Sequence, residues 1–168
     1  MRTHLEKLTT NDLAYIAGLI DGDSSSIFCQ IVEGSDYKYG FTIRVSIVFF
    51  QRKDKKWFLM QLKDKLGYGA IRERKDGIVE YAIVSINAVE RFLYLLKPYL
   101  IIKQNILLKT LDLISKKREV ENINNFLSLC SLVDEIGLLT YGKSRTINTE
   151  YVKSKLKDNF PVETLQKQ

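Results

Sequence analysis

Histidine, cysteine and proline are nearly missing from this chain of 168 residues, which holds one, two and two of them. With His4 alone, close to the N-terminus, histidine acid–base catalysis and histidine-rich zinc sites have no material to work with. Cys29 and Cys130 lack metal-ligand spacing and sit in apolar patterns, so they are expected as buried free thiols and not as a disulfide framework. No uninterrupted apolar run is long enough to span a bilayer. The opening segment, Met1 to Lys7, lacks the apolar stretch of a secretory signal, which points to an intracellular protein with no membrane partner. No low-complexity tract or linker interrupts the chain. A single domain over 1–168 is therefore expected, with a core at about 10–140 and a basic loop and short helix over 141–168.

What is present fits a globular domain with its own core: 45% apolar and 27% charged residues. Lys and Arg outnumber Asp and Glu by 26 to 20, a net charge of +6 and a pI near 9.2, which suits a polyanionic partner.

Hydrophobic periodicity supplies the element order. Thr10 is the expected N-cap of a helix running to about Asp21. The pattern then alternates, with Ile27, Cys29 and Ile31 on a core face and Phe28, Gln30 and Val32 opposite. A hairpin loop over Glu33 to Gly40 leads to a return strand. There Phe41, Ile43, Val45, Ile47 and Phe49 point inward, and Thr42, Arg44, Ser46 and Val48 outward. A helix from Arg52 to Leu66 is expected to bury Phe58, Leu62 and Leu66 and to stop at Gly67. A second hairpin turns at Lys75-Asp76-Gly77, and helices follow at about Asn87–Lys97, Lys103–Lys117, Ile123–Leu139 and Thr149–Leu156. Helix, hairpin, helix, hairpin, helix, with extra C-terminal helices, is an α+β fold with an antiparallel sheet.

The most informative stretch is Ile16-Ala17-Gly18-Leu19-Ile20-Asp21-Gly22-Asp23. Ala14, Gly18 and Gly22 recur every four residues and line one stripe of the first helix, so a second backbone can approach it closely. Glycine inside a helix costs about 1 kcal/mol relative to alanine, so two of them need a reason. Asp21 and Asp23 fall at the helix C-terminus, where unpaired carbonyls already carry partial negative charge. A divalent metal is the natural counter-ion.

The outward face of the hairpins carries Gln30, Thr42, Arg44, Ser46, Arg72, Arg74 and Glu80, punctuated by Phe28, Val32, Val48 and Ala82. Arginine matches guanine, glutamine adenine and glutamate cytosine, and apolar groups meet thymine methyls. A two-stranded ribbon fits the major groove of DNA. Lys53, Lys55, Lys56, Lys143 and Arg145 read as phosphate contacts.

The motif string, the helix–hairpin order, Tyr37-Lys38, Gln51, Trp57-Phe58-Leu59, Arg72-Glu73-Arg74 and Pro98 to Gln104 together resemble the LAGLIDADG homing endonucleases, and most closely their single-motif, homodimeric group. The resemblance implies an αββαββα core whose sheet forms a DNA-binding saddle. It implies a site-specific double-strand endonuclease that cuts a long pseudo-palindromic target to leave 3′ overhangs, in the service of intron homing. Asp23 corresponds to the metal-binding acid, the Gly22 carbonyl to a further ligand, Gln51 to a residue orienting solvent, and Lys103 to a lysine that assists electrostatically. Oxygen-only ligation with few protein donors suits Mg²⁺, with Mn²⁺ or Ca²⁺ able to replace it in binding. Tyr37 and Lys55 join the DNA-binding set. Ala14, Ala17, Gly18, Asp21 and Gly22 form the expected dimer interface, Asp21 as a brace and not a metal ligand. Relatives are commonly encoded in chloroplast or mitochondrial introns, which gives an organellar expectation. The family usually follows its metal-binding acid with Gly-Ser, whereas this chain has Ser24-Ser25-Ser26. That departure motivates the alternative of a non-cleaving nucleic-acid binder such as an intron maturase. A domain that only oligomerises through the glycine helix would leave the arginine-bearing sheet unexplained.

Overall fold

The computed structural model describes residues 3–140 and 145–159, so Lys143 of the basic loop lies outside the described residues, whereas Arg145 donates to the Cys29 carbonyl. The elements run α1 (Thr10–Asp21), β1 (Ser25–Glu33), β2 (Phe41–Arg52), α2 (Lys56–Leu66), β3 (Ala70–Glu73), β4 (Ile78–Ile83), α3 (Ile86–Leu96), α4 (Gln104–Arg118), α5 (Ile123–Leu138) and α6 (Thr149–Asn159). The strands form one four-stranded antiparallel sheet in the order β1-β2-β4-β3. The αββαββα order and the α+β class are those read from the sequence.

The chain folds as two compact units, one up to Phe28 and over Val45–Leu107, the other over Cys29–Arg44 and from Leu108 on. In the first unit α1 packs on α3. Leu13, Ile16, Ala17 and Ile20 of α1 are buried with Val89, Phe92, Leu93 and Leu96 of α3 and Val45, Ile47 and Phe49 of β2. Phe49 and Tyr81 are directly opposed in the β2–β4 register, and their rings stack at 5.7 Å. Thr9, not Thr10, caps α1: its hydroxyl accepts from the Asp12 amide, and the Asp12 carboxylate accepts from the Thr9 amide. Two adjacent threonines offer the same hydroxyl, and only Thr9 has an acid three residues on, which decides the boundary.

Three further expectations are corrected. β2 runs through Arg52, and Lys53–Lys55 form a 3₁₀ turn before α2 starts at Lys56. The helix consequently buries Leu59, Leu62 and Leu66, whereas Phe58 is half-exposed. On β2, Ser46 and Val48 occupy the outward face as alternation requires, yet each is only 8% exposed. Gly67, at φ 74°, ends α2 in the left-handed region that favours glycine.

In the second unit the buried residues are Cys29, Ile31, Phe41 and Ile43 from the hairpin, Leu111, Leu113 and Ile114 from α4, and Phe126, Cys130 and Val133 from α5. Both cysteines are free and buried, as expected. The Tyr39 ring lies 5.3 Å from Phe126, and Phe41 meets Tyr151 edge-on. Asn122 caps α5, and the Thr149 amide donates to Asp134 at the start of α6.

Candidate active site and nucleic-acid interface

The last helical bond of α1 joins the Gly22 amide to the Gly18 carbonyl, after which the chain turns through Asp23 and Ser24 into β1. Leu19 and its neighbours are left with carbonyls that no further helical amide reaches. The Ser25 hydroxyl donates to the Leu19 carbonyl in place of that missing amide. The Lys103 ammonium donates to the carbonyls of Gly22 and Ser25, both at 2.9 Å. The Ser24 carbonyl accepts from the Phe50 amide at 2.7 Å, which sets the backbone next to Gln51 beside the turn. Asp23, Gln51 and Lys103 therefore gather around one turn, with Asp23 exposed and Gln51 and Lys103 partly buried.

The two acids of the motif are used differently. The Asp21 carboxylate accepts from the backbone amides of Ile101 and Lys103, each at 2.9 Å, and so binds the segment leading into α4. Both oxygens are engaged within its own chain, and the residue stays partly exposed. Among the described residues, no hydrogen bond engages the Asp23 carboxylate. Burial pushes the Lys103 ammonium below the usual lysine range, and the charges of Asp21 and Asp23 oppose that shift.

No cluster of three or more His, Cys, Asp or Glu exists among the described residues. One exposed carboxylate and one backbone carbonyl are hard oxygen donors and fit a cation that keeps most of its waters. The Gly22 carbonyl already accepts from Lys103, so it is available to a metal only through its second lone pair.

Of the α1 surface, Ala14 and Gly18 are exposed and Gly22 is partly so, but Ala17 is wholly buried inside the chain and is corrected out of the interface set. A methyl group added at Gly18 would meet nothing within 4 Å. Tyr15 stands beside this stripe, exposed, with its ring edge on Phe58.

On the outward sheet face of the first unit, Arg72 is paired with Glu80, and Ala82 with Val48, in the strand registers. Glu80 holds both arginines, Arg72 at 2.7 Å and Arg74 at 3.3 Å, and Arg74 also reaches Asp76 at 2.6 Å. Phe28 meets Phe50 edge-on on the same face. Lys55 is exposed at the end of the 3₁₀ turn, and the Lys53 amide ties that turn to the Gly77 carbonyl. In the second unit, Gln30 and Arg44 are exposed and Val32 and Thr42 half-buried. Tyr37 lies over its own loop, its ring so close to Gly34 that an added methyl group there would sit 2.7 Å from it.

The sequence marks Ser25 only as part of the triple serine and not as a residue that fixes the turn. The signal was present, because residue 25 shares the core-facing parity of Ile27, Cys29 and Ile31, where a serine needs a partner.

A family model described as LAGLIDADG endonuclease matches residues 16–109. The chain is 35% identical to the DNA endonuclease I-CvuI of Chlorella vulgaris over 86% of its own length and 89% of the relative's. It is 33% identical to the DNA endonuclease I-CreI of Chlamydomonas reinhardtii over 86% and 88%. A crystal structure of I-CvuI with the I-CreI target, its DNA not cleaved in the presence of Mg, superimposes with a TM-score of 0.82, covering 88% of this chain and 94% of that one. I-SmaMI bound to cleaved DNA matches in fold with a TM-score of 0.69 at 22% identity, and there the match covers 92% of this chain but 48% of the other.

Proposed function

The chain belongs to the LAGLIDADG endonuclease family and is a DNA endonuclease; we propose that two copies act together as a homing enzyme, cutting both strands of a long pseudo-palindromic duplex with Mg²⁺ and leaving 3′ overhangs. The observation that carries this reading is the turn after α1, where the bonds that fix the backbone leave the Asp23 carboxylate exposed and, among the described residues, without a hydrogen bond.

In this reading Asp23 binds the cation, with the Gly22 carbonyl beside it. The metal neutralises charge on the phosphate and lowers the pKa of attacking water when bound. Gln51 orients solvent, and Lys103 places a fixed positive charge where negative charge grows on the reacting phosphate. Arg44, Arg72, Arg74, Gln30 and Glu80 read base edges, Phe28, Val32 and Ala82 meet apolar groups, Thr42 supplies a hydroxyl, and Tyr37, Lys55 and Lys143 contact the backbone.

One Asp23 serves one strand, so a double-strand cut needs two chains. The open space at Gly18 supports pairing through α1, because packing within the chain gives no reason for glycine there. Intron homing and an organellar location carry over from the family as parts of the same proposal. A binder that does not cleave would leave the Asp23 carboxylate without a task.

The test is selection of cleaved duplexes from a randomised library, with sedimentation of the protein. Two-fold-symmetric sites cut in Mg²⁺ and spared in chelator, by a protein of dimer mass, are the expected result. Binding without cleavage under every divalent metal would overturn the catalytic reading, and a monomer that cuts both strands would overturn the dimer.

A further inference from the structure

We propose that Ser25 is a positioning residue of the cleavage reaction, its hydroxyl holding the turn that presents Asp23 and docks Lys103. The inference rests on the endonuclease reading and adds a residue to it. Ser25 is 2% exposed, so its hydroxyl cannot fall back on water and must find a partner within the protein. That partner is the Leu19 carbonyl, orphaned where α1 ends.

The same residue's carbonyl takes one of the two Lys103 bonds, and Gly22, three residues earlier, takes the other. Ser25 is thus fastened to the helix through its side chain and to Lys103 through its backbone. Asp23 lies between the two carbonyls that Lys103 joins. If residue 25 loosens, the span from Gly22 to Ser25 changes, and with it both the position of the ammonium and the direction of the Asp23 carboxylate. A misplacement of about 1 Å in such a site is enough to slow chemistry without weakening substrate binding.

The experiment compares full-length wild type, Ser25→Ala, Ser25→Thr, Lys103→Ala and the Ser25→Ala/Lys103→Ala double variant on a duplex recovered from the library selection. Single-turnover cleavage is measured in Mg²⁺ and DNA affinity in Ca²⁺. Ser25→Ala should cut about tenfold more slowly, with DNA affinity close to wild type and the melting temperature lowered by a few degrees, because the Leu19 carbonyl loses its donor. Ser25→Thr, which keeps the hydroxyl, should restore the rate. In the Lys103→Ala background Ser25→Ala should slow cleavage less than it does in wild type, because one of the two groups it positions is gone. Cleavage by Ser25→Ala at the wild-type rate would overturn the proposal. So would an equal slowing by the threonine variant, a fall in affinity that parallels the rate, or full additivity with Lys103→Ala. If wild type itself cuts nothing, the endonuclease reading fails first; if it cuts and these patterns are absent, only the role of Ser25 falls.

Discussion

The turn after α1 and the β3–β4 hairpin both crowd charged groups, and they manage them in opposite ways. At the turn, the Asp21 carboxylate and the Lys103 ammonium each bind backbone, so their positions are set by the main chain itself. On the hairpin, Arg72, Arg74, Glu80 and Asp76 bind one another through side chains at the surface. Bonds of the first kind are hard to exchange, because breaking them strands partly buried amide and carbonyl groups of the main chain. Exposed ion pairs contribute about 0–1 kcal/mol, so their members can be lent to a partner at little cost. Chemistry needs fixed geometry, whereas reading a sequence needs groups that can change partners. The two regions divide along that line.

Among the side chains bound to backbone, removing the central cation gives the largest expected effect. Lys103→Ala should lower the single-turnover cleavage rate by roughly 10²–10³-fold, in the range for loss of a fixed electrostatic group, with DNA affinity in Ca²⁺ largely kept. A rate within a few-fold of wild type would show that the turn is not the catalytic region. Asp21→Ala leaves the Ile101 and Lys103 amides without their acceptor and should cost about 1–3 kcal/mol in chemical denaturation. An unchanged unfolding midpoint would place Asp21 outside the structural frame.

The exchangeable region predicts the reverse pattern, in which stability is spared and recognition shifts. Arg72→Ala should relax preference at one target position per half-site by about 1–3 kcal/mol in competition binding. Glu80→Gln frees both arginines and should raise affinity for non-cognate DNA with a steeper salt dependence. Its melting temperature should stay close to wild type, and a large drop would mean that these pairs are structural.

The smallest effect concerns the start of α1. The Lys65 ammonium, then the bonds from Thr9, hold the Asp12 carboxyl down to about 2. A depressed folded value means that ionised Asp12 adds stability above the unfolded value near 4, and that this is lost as pH falls toward about 2. With Lys65 half-exposed, the contribution is about 0.5–1 kcal/mol. Wild type and Asp12→Asn should differ in melting temperature at pH 5 and converge near pH 2. A gap that persists at pH 2 would contradict the assignment.

Local signals in the sequence were enough for much of this. The strand parities of β1 and β2 placed Ile27, Phe41 and Phe49 inside and Gln30 and Arg44 outside. Gly67 marked the end of α2, and the register that sets Arg72 against Glu80 follows from the hairpin turn. What escaped depends on distant partners. Asp21 looked like a brace between chains because the amides that donate to it, those of Ile101 and Lys103, lie about eighty residues on. Ala17 belongs to the same small-residue string as Gly18, but lies about 100° away around the helix and turns into the core. Ser46 and Val48 have the outward parity of Arg44 and are nonetheless covered, which no alternation pattern encodes.

The central claim is that two acids two residues apart divide the work, Asp23 for metal and chemistry and Asp21 for the frame. The most direct measurement is cleavage of a matched duplex by Asp23→Asn in Mg²⁺, with DNA affinity measured in parallel and Asp21→Asn as the comparison. The account predicts that Asp23→Asn binds DNA and unfolds like wild type but does not cut, while Asp21→Asn unfolds more easily. Metal-dependent cutting by Asp23→Asn at the wild-type rate would contradict it.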